Sequence, residues 1–162
     1  MAGIDGDKVA AAYLDQWTLT REWCDGIEDW SAPSAIDGWT MRALVAHFGL
    51  VADSIRAAAD VVSEEKPLRL GDYIATYADG AAAIDERTRS AAAGDGFLYA
   101  VDATAAAAEQ AIAAVEGNPV VSARRGSIRW VDFLRTRCIE LTVHSDDLAR
   151  SFDTGGPPTS RP

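Results

Sequence analysis

Apolar residues recur every three or four positions through most of this chain, and that repeat restricts it to folds in which helices lie against one another. Between Asp7 and Ile27, residues Ala10, Tyr13, Leu14, Trp17 and Cys24 line one helical face. A loop through Ser31, Ala32, Pro33 and Gly38 leads to Thr40, the expected N-cap of a second helix, because its hydroxyl can accept from a backbone N–H in the first turn. Leu44, Phe48, Val51, Ile55 and Val62 form that helix's stripe, which ends over Glu64 to Pro67. A third helix is expected from Leu70, with Tyr73, Ile74, Tyr77, Ala81, Ile84 and Thr88 in phase, up to the break at Gly94 to Gly96. A fourth covers about Val101 to Glu116 and closes at Gly117, Asn118 and Pro119; the last runs from Trp130 to Phe152 on Phe133, Leu134, Cys138, Leu141 and Leu148. Alanine, the best helix former, supplies 31 of the 162 residues, mostly inside these segments, and its small side chain allows close helix approach.

Two stretches escape the repeat. Val120 to Trp130 is short, partly β-prone and broken by Gly126, so a strand-like crossover is expected there. Thr154 to Pro162, rich in glycine and proline, reads as a flexible tail. The expected architecture is all-α: a four-helix bundle forming one domain over residues 1–153, a tail over 154–162, and one short extended segment before the last helix.

Charge and cysteine usage narrow the function. Twenty-five acidic against fifteen basic residues give a net charge of -10, the wrong sign for a nucleic acid or an anionic membrane surface. No window approaches the roughly 18 consecutive apolar residues of a bilayer span, and Met1 to Lys8 lacks a basic leader. Cys24 and Cys138 show no C-x-x-C spacing and are expected as free thiols in a reducing compartment, so the protein is expected in the cytoplasm. There is no G-x-G-x-x-G, P-loop or G-x-S-x-G motif.

In helical bundles, ligand and metal sites are built from side chains projecting inward across helices. The two histidines, His47 and His144, both stand at the edge of an apolar stripe, and Glu140 lies one turn before His144. Such histidines are often hydrogen-bonded core residues, and E-x-x-x-H spacing is common by chance. A half-buried Glu140, however, needs a counter-charge, and a divalent cation supplies one. Two neutral imidazoles and a carboxylate leave an open position on the ion, as in catalytic zinc sites. The same donors suit an Fe(II) facial triad, although such triads usually lie on β-barrels, or a metal held in a non-enzymatic helical module.

Two blocks of sequence carry a family likeness. Trp39-Thr40, followed after three residues by Leu44-Val45-Ala46-His47, and the later run Phe133-Leu134-Arg135-Thr136-Arg137 with Glu140, His144 and Asp147-Leu148-Ala149-Arg150, resemble the N-terminal domain of mycothiol-dependent maleylpyruvate isomerases, within the wider DinB-like, thiol-dependent metalloenzyme superfamily. The likeness covers about Asp7 to Phe152. It implies a four-helix bundle holding a divalent metal, commonly zinc, with nickel, manganese or iron(II) as alternatives, through His47, Glu140 and His144. It also implies mycothiol as co-substrate and a small electrophile as the second partner, in S-transfer, conjugate addition or isomerisation. A homodimer is compatible with such a fold. The family's isomerases carry a sterol-carrier-like domain after the bundle, and contacts from it are not expected here. Alanine stands at position 43, where the family often has an acidic residue completing a capping box behind Thr40.

Around the three ligand candidates, Asp147 is expected to orient a ligand imidazole, whereas Asp146 suits a solvated face. Arg137 and Trp39 are expected to contact substrate, the alternatives being ion pairing for the arginines at 135 and 137 and core packing for Trp39 and Trp130. Cys138 reads as a core residue rather than a nucleophile.

Overall fold

The computed structural model describes residues 6–152, so the expected tail at 154–162 lies outside the described residues. The chain is mostly helical, with a small two-stranded sheet. In order it forms α1 (Gly6–Cys24), α2 (Met41–Ala59), α3 (Leu70–Ala75), a 3-10 turn at Ala78–Gly80, α4 (Ala81–Ala93), α5 (Phe97–Ala114), β1 (Val120–Ala123), β2 (Gly126–Arg129) and α6 (Trp130–Ser151). Among the described residues no helix is long and apolar enough to cross a membrane.

Helix α2 is central, with Leu44, Val45, Ala46, Phe48, Val51, Ala52 and Ile55 all buried, and it packs on α4, α5 and α6. Its approach to α5 is close because the facing positions are small. A Cβ at Gly49 would lie 3.1 Å from Val101 Cγ2, and Ala105 and Ala108 of α5 are buried nearby in the same core. The Thr40 hydroxyl accepts from Ala43 N–H at 3.2 Å, so the cap forms without an acidic residue at position 43. Helix α1 packs along α6, where the buried Thr20 and Ser145 hydroxyls meet at 2.6 Å.

The expected third helix is broken. Periodicity carries Tyr77 and Ala81 across the interruption, but the Thr76 hydroxyl donates back to Tyr73 O at 2.7 Å and the Arg125 guanidinium donates to Thr76 O, so the carbonyls that would continue the ladder are engaged elsewhere. Arg125 fills the gap so tightly that a Cβ at Gly80 would lie 2.6 Å from its Nη2. Helix α4 therefore restarts at Ala81. Helix α5 begins at Phe97, four residues before the expected Val101, because Gly96 adopts φ +73° and Phe97 is buried under the Arg42 guanidinium.

The segment expected as an extended crossover is an antiparallel hairpin, with Val121 opposite Ile128 and Ser122 opposite Ser127. Arg124 and Arg125 form its turn, before Gly126 at φ +123°. An isolated hairpin is marginal in water. Here the α2–α3 linker grips both outer edges. Ser122 N–H donates to Val61 O (2.8 Å) and Ser63 N–H to Val120 O (2.9 Å) on one side, while Leu68 N–H donates to Ser127 O (2.8 Å) on the other. Asn118 then caps α6 by accepting from Val131 N–H at 2.9 Å.

Candidate metal centre

His47 comes from the middle of α2, and Glu140 and His144 from successive turns of α6, the helix packed on it. The structure brings one donor atom of each within 4.8 Å of the others. Glu140 Oε2 lies 3.7 Å from His47 Nε2 and 3.5 Å from His144 Nε2, and the imidazoles meet edge to face with centroids 4.6 Å apart.

The far nitrogen of each ring is tied. His144 Nδ1 lies 3.0 Å from Asp147 Oδ2, a carboxylate itself buried and held by Arg150. His47 Nδ1 lies 3.2 Å from the Thr88 hydroxyl of α4. Trp39 lies against both rings, at 5.1 Å from His47 and 6.3 Å from His144, and its indole N–H donates to Asp85 of α4 at 2.6 Å.

Electrostatics separate the three groups. Burial lowers the pKa of His47 and keeps it neutral. Burial opposes ionisation of Glu140 too, but the facing His144 and His47 nitrogens and the Arg137 charge outweigh it and hold the carboxyl well below its usual range. At His144 burial opposes the charged form, yet Glu140 and Asp147 beside its two nitrogens raise the pKa above the ordinary value.

These residues fit a divalent cation. His47 Nε2 is buried and has no hydrogen-bond partner, since 3.7 Å to Glu140 is too long for one. With the proton on Nδ1, the Nε2 lone pair faces a carboxylate that repels it, and a cation between them removes that cost. Two imidazoles and one carboxylate suit zinc or a neighbouring first-row ion and leave positions for exogenous ligands.

Two cavities reach Glu140. One, of about 240 Å³, is bordered by His47, Glu140 and four arginines: Arg87 from α4, Arg124 and Arg125 from the hairpin turn, and Arg137 from α6. The other, of about 220 Å³, has apolar walls from Ile74, Ile139 and Val143 beside Glu140 and His144. Tyr77 borders both, its ring under Arg125 at 4.7 Å and its hydroxyl accepting from Arg137.

Of the other residues singled out from sequence, Arg137 lines the first cavity, whereas Trp39 sits behind the imidazoles and borders neither cavity. Arg135 pairs with Asp132 at 2.6 Å, and exposed Asp146 pairs with Arg150 at 3.1 Å. Trp130 is buried in the core. The Cys24 thiol is buried and pushed up to about 12 by desolvation, and half-buried Cys138 is raised by the same cause. Thr88, Asp85, Tyr77, Arg87, Arg124 and Arg125 were not singled out as site residues. The one sequence signal for them is the Arg124-Arg125 pair inside the segment that broke the helical pattern.

A family model described as the mycothiol maleylpyruvate isomerase N-terminal domain matches residues 13–149. No curated protein and no solved structure matches the chain.

Proposed function

Because this chain belongs to the mycothiol maleylpyruvate isomerase N-terminal domain family, we propose that it is a metal-dependent enzyme that uses a low-molecular-weight thiol, mycothiol, as co-substrate, on a DinB-like four-helix bundle of α1, α2, α5 and α6. The observation that carries this reading is the buried, unpartnered His47 Nε2 facing Glu140 and His144 beside an arginine-lined cavity.

A divalent ion, zinc in the first instance, held by His47, Glu140 and His144 would supply a Lewis acid that lowers the pKa of a thiol brought to it. The chain's own residues do the rest. Asp147 and Thr88 hold the two imidazoles, and Trp39 packs against both rings. Arg137 and Arg125 are spent on the wall, through Tyr77, Ser54 and Thr76, while the Arg87 and Arg124 guanidinia make no hydrogen bond or ion pair among the described residues. Free guanidinium forks bind carboxylates bidentately, so the electrophile carries an anionic group that these two arginines orient. The reaction class is S-transfer, conjugate addition or thiol-assisted isomerisation. Neither Cys24 nor Cys138 belongs to the metal-binding group, and burial keeps both protonated, so the nucleophile comes from outside the chain. The two free cysteines support a reducing, cytoplasmic setting.

The test combines metal analysis of the purified protein with thiol titration of a cobalt-substituted sample. A saturable, mycothiol-dependent change in the cobalt spectrum, and a rate on a carboxylated electrophile that vanishes with chelator and returns with metal, are expected. A broad thiol panel that changes neither would leave a non-enzymatic metal-binding module as the better reading.

A further inference from the structure

Helix α4 contributes no ligand, yet it touches the centre twice. Thr88, fully buried, meets His47 Nδ1 at 3.2 Å, and Asp85, one turn earlier, accepts the indole N–H of Trp39, whose ring packs 5.1 Å from His47. Asp85 is in turn held by Arg89 at 3.0 Å. The imidazole is thus fixed at one edge by Thr88 and on one side by Trp39.

A neutral imidazole carries one proton on either nitrogen, and only the nitrogen without it can bind a metal. His47 has two very different nitrogens. Nε2 points to Glu140 and has no hydrogen-bond partner; Nδ1 has the Thr88 hydroxyl. The hydroxyl can accept from Nδ1–H, which puts the lone pair on Nε2. It can equally donate to Nδ1 when the proton sits on Nε2, so it partners both tautomers during metal uptake. Valine at this position would leave Nδ1 without a partner in either tautomer, but the other tautomer still turns its Nε2–H toward the Glu140 carboxylate, so the binding tautomer, with a buried N–H and no acceptor, bears the larger cost. A carboxylate would bring a further negative charge into a group already flanked by Glu140 and Asp147.

We propose that Thr88 is a positioning residue of the metal centre: by accepting from Nδ1–H, its hydroxyl supports the His47 tautomer that presents Nε2 to the ion. This rests on the metal-centre reading above.

The experiment compares Thr88→Val, which keeps shape and burial, with Thr88→Ser, which keeps the hydroxyl. Zinc affinity is measured by chelator competition, and the His47 tautomer by imidazole ¹⁵N spectra of metal-free and zinc-loaded protein. Losing such an outer partner typically weakens metal binding roughly 10- to 100-fold. That loss is expected for Thr88→Val, near-native affinity for Thr88→Ser, and Nδ1–H on His47 in zinc-loaded wild type. In metal-free protein, Thr88→Val should depopulate the Nδ1–H form; a purely structural role for Thr88 would move the melting temperature and leave the tautomer ratio alone. Wild-type affinity in Thr88→Val, zinc on Nδ1 of the wild-type His47, or an unchanged tautomer ratio would each overturn the proposal. Failure of the metal-centre reading looks different: wild type takes up no zinc, or His47→Ala takes up as much, and the metal-free tautomer comparison still decides whether Thr88 governs His47.

Discussion

The two sides of the candidate centre are built on opposite plans. On one side α2 and α6 run as long, uninterrupted helices whose packed faces hold His47, Glu140 and His144 one turn apart or directly across. On the other, the cavity wall is assembled from a broken helix, a hairpin turn and the middle of α4, which supply Tyr77, Arg124, Arg125 and Arg87. Regular helices keep donor atoms at fixed spacing, as an ion requires. Irregular segments can change shape and charge without disturbing that spacing, so they suit choice of substrate. In the proposed enzyme, the difference would separate metal binding from substrate recognition within about one hundred and fifty residues.

If the helical side holds the ion, alanine at His47, Glu140 or His144 should abolish tight metal binding, the largest effect expected, read as metal stoichiometry after gel filtration. Glu140→Gln should weaken binding and be partly rescued by excess zinc, since it removes a ligand charge but keeps an oxygen. Undiminished stoichiometry in His47→Ala would dissolve the contrast by showing that this histidine only packs.

Acid should attack the same side through one residue. Metal binding needs neutral imidazoles; His144, its pKa raised by Glu140 and Asp147, is the first to take a proton as pH falls, whereas buried His47, its pKa lowered, stays neutral to lower pH. Zinc affinity should therefore be full above the His144 pKa and fall by about tenfold per pH unit below it, one proton per ion. Competition titrations between about pH 8 and about pH 5 check this. An affinity flat across that range would show that His144 is not a ligand.

The cavity side is tested by Arg87→Ala and Arg124→Ala. Losing a charged hydrogen bond to a carboxylate costs about 1.5–3 kcal/mol, or roughly 10- to 100-fold in kcat/KM. The effect should appear for anionic electrophiles, with metal content unchanged. An equal loss on neutral electrophiles would mean that these arginines serve the metal side after all. Smallest of all, Cys24→Ser and Cys138→Ser should leave turnover intact and lower the melting temperature slightly, more for the fully buried Cys24.

The same division explains what was legible in the sequence. Glu140 and His144 could be paired from spacing alone, because four residues make one helical turn. The long stripes of α1, α2 and α6 could be placed for the same reason. The break before α4 could not, since Tyr77 and Ala81 stay in phase across it; what stops the helix is Arg125, distant in sequence, lodged against Gly80. The hairpin was readable as an extended stretch but not as a pairing, because the partners on its outer edges lie about sixty residues earlier, at Val61, Ser63 and Leu68. Thr88 was visible only as one more member of an apolar stripe. Its hydroxyl gains meaning from His47, and nothing local in the sequence links the two.

That double grip on the hairpin has a dynamic consequence. Neither strand can fray without freeing the linker that leaves α2, so the turn carrying Arg124 and Arg125 should open together with the end of α2 as one cooperative unit rather than flutter as a loop. The amides of Leu68 and Ser122, each donating across a hairpin edge, should then exchange their hydrogens with solvent at a common rate, and that rate times how often the cavity loses its arginine wall.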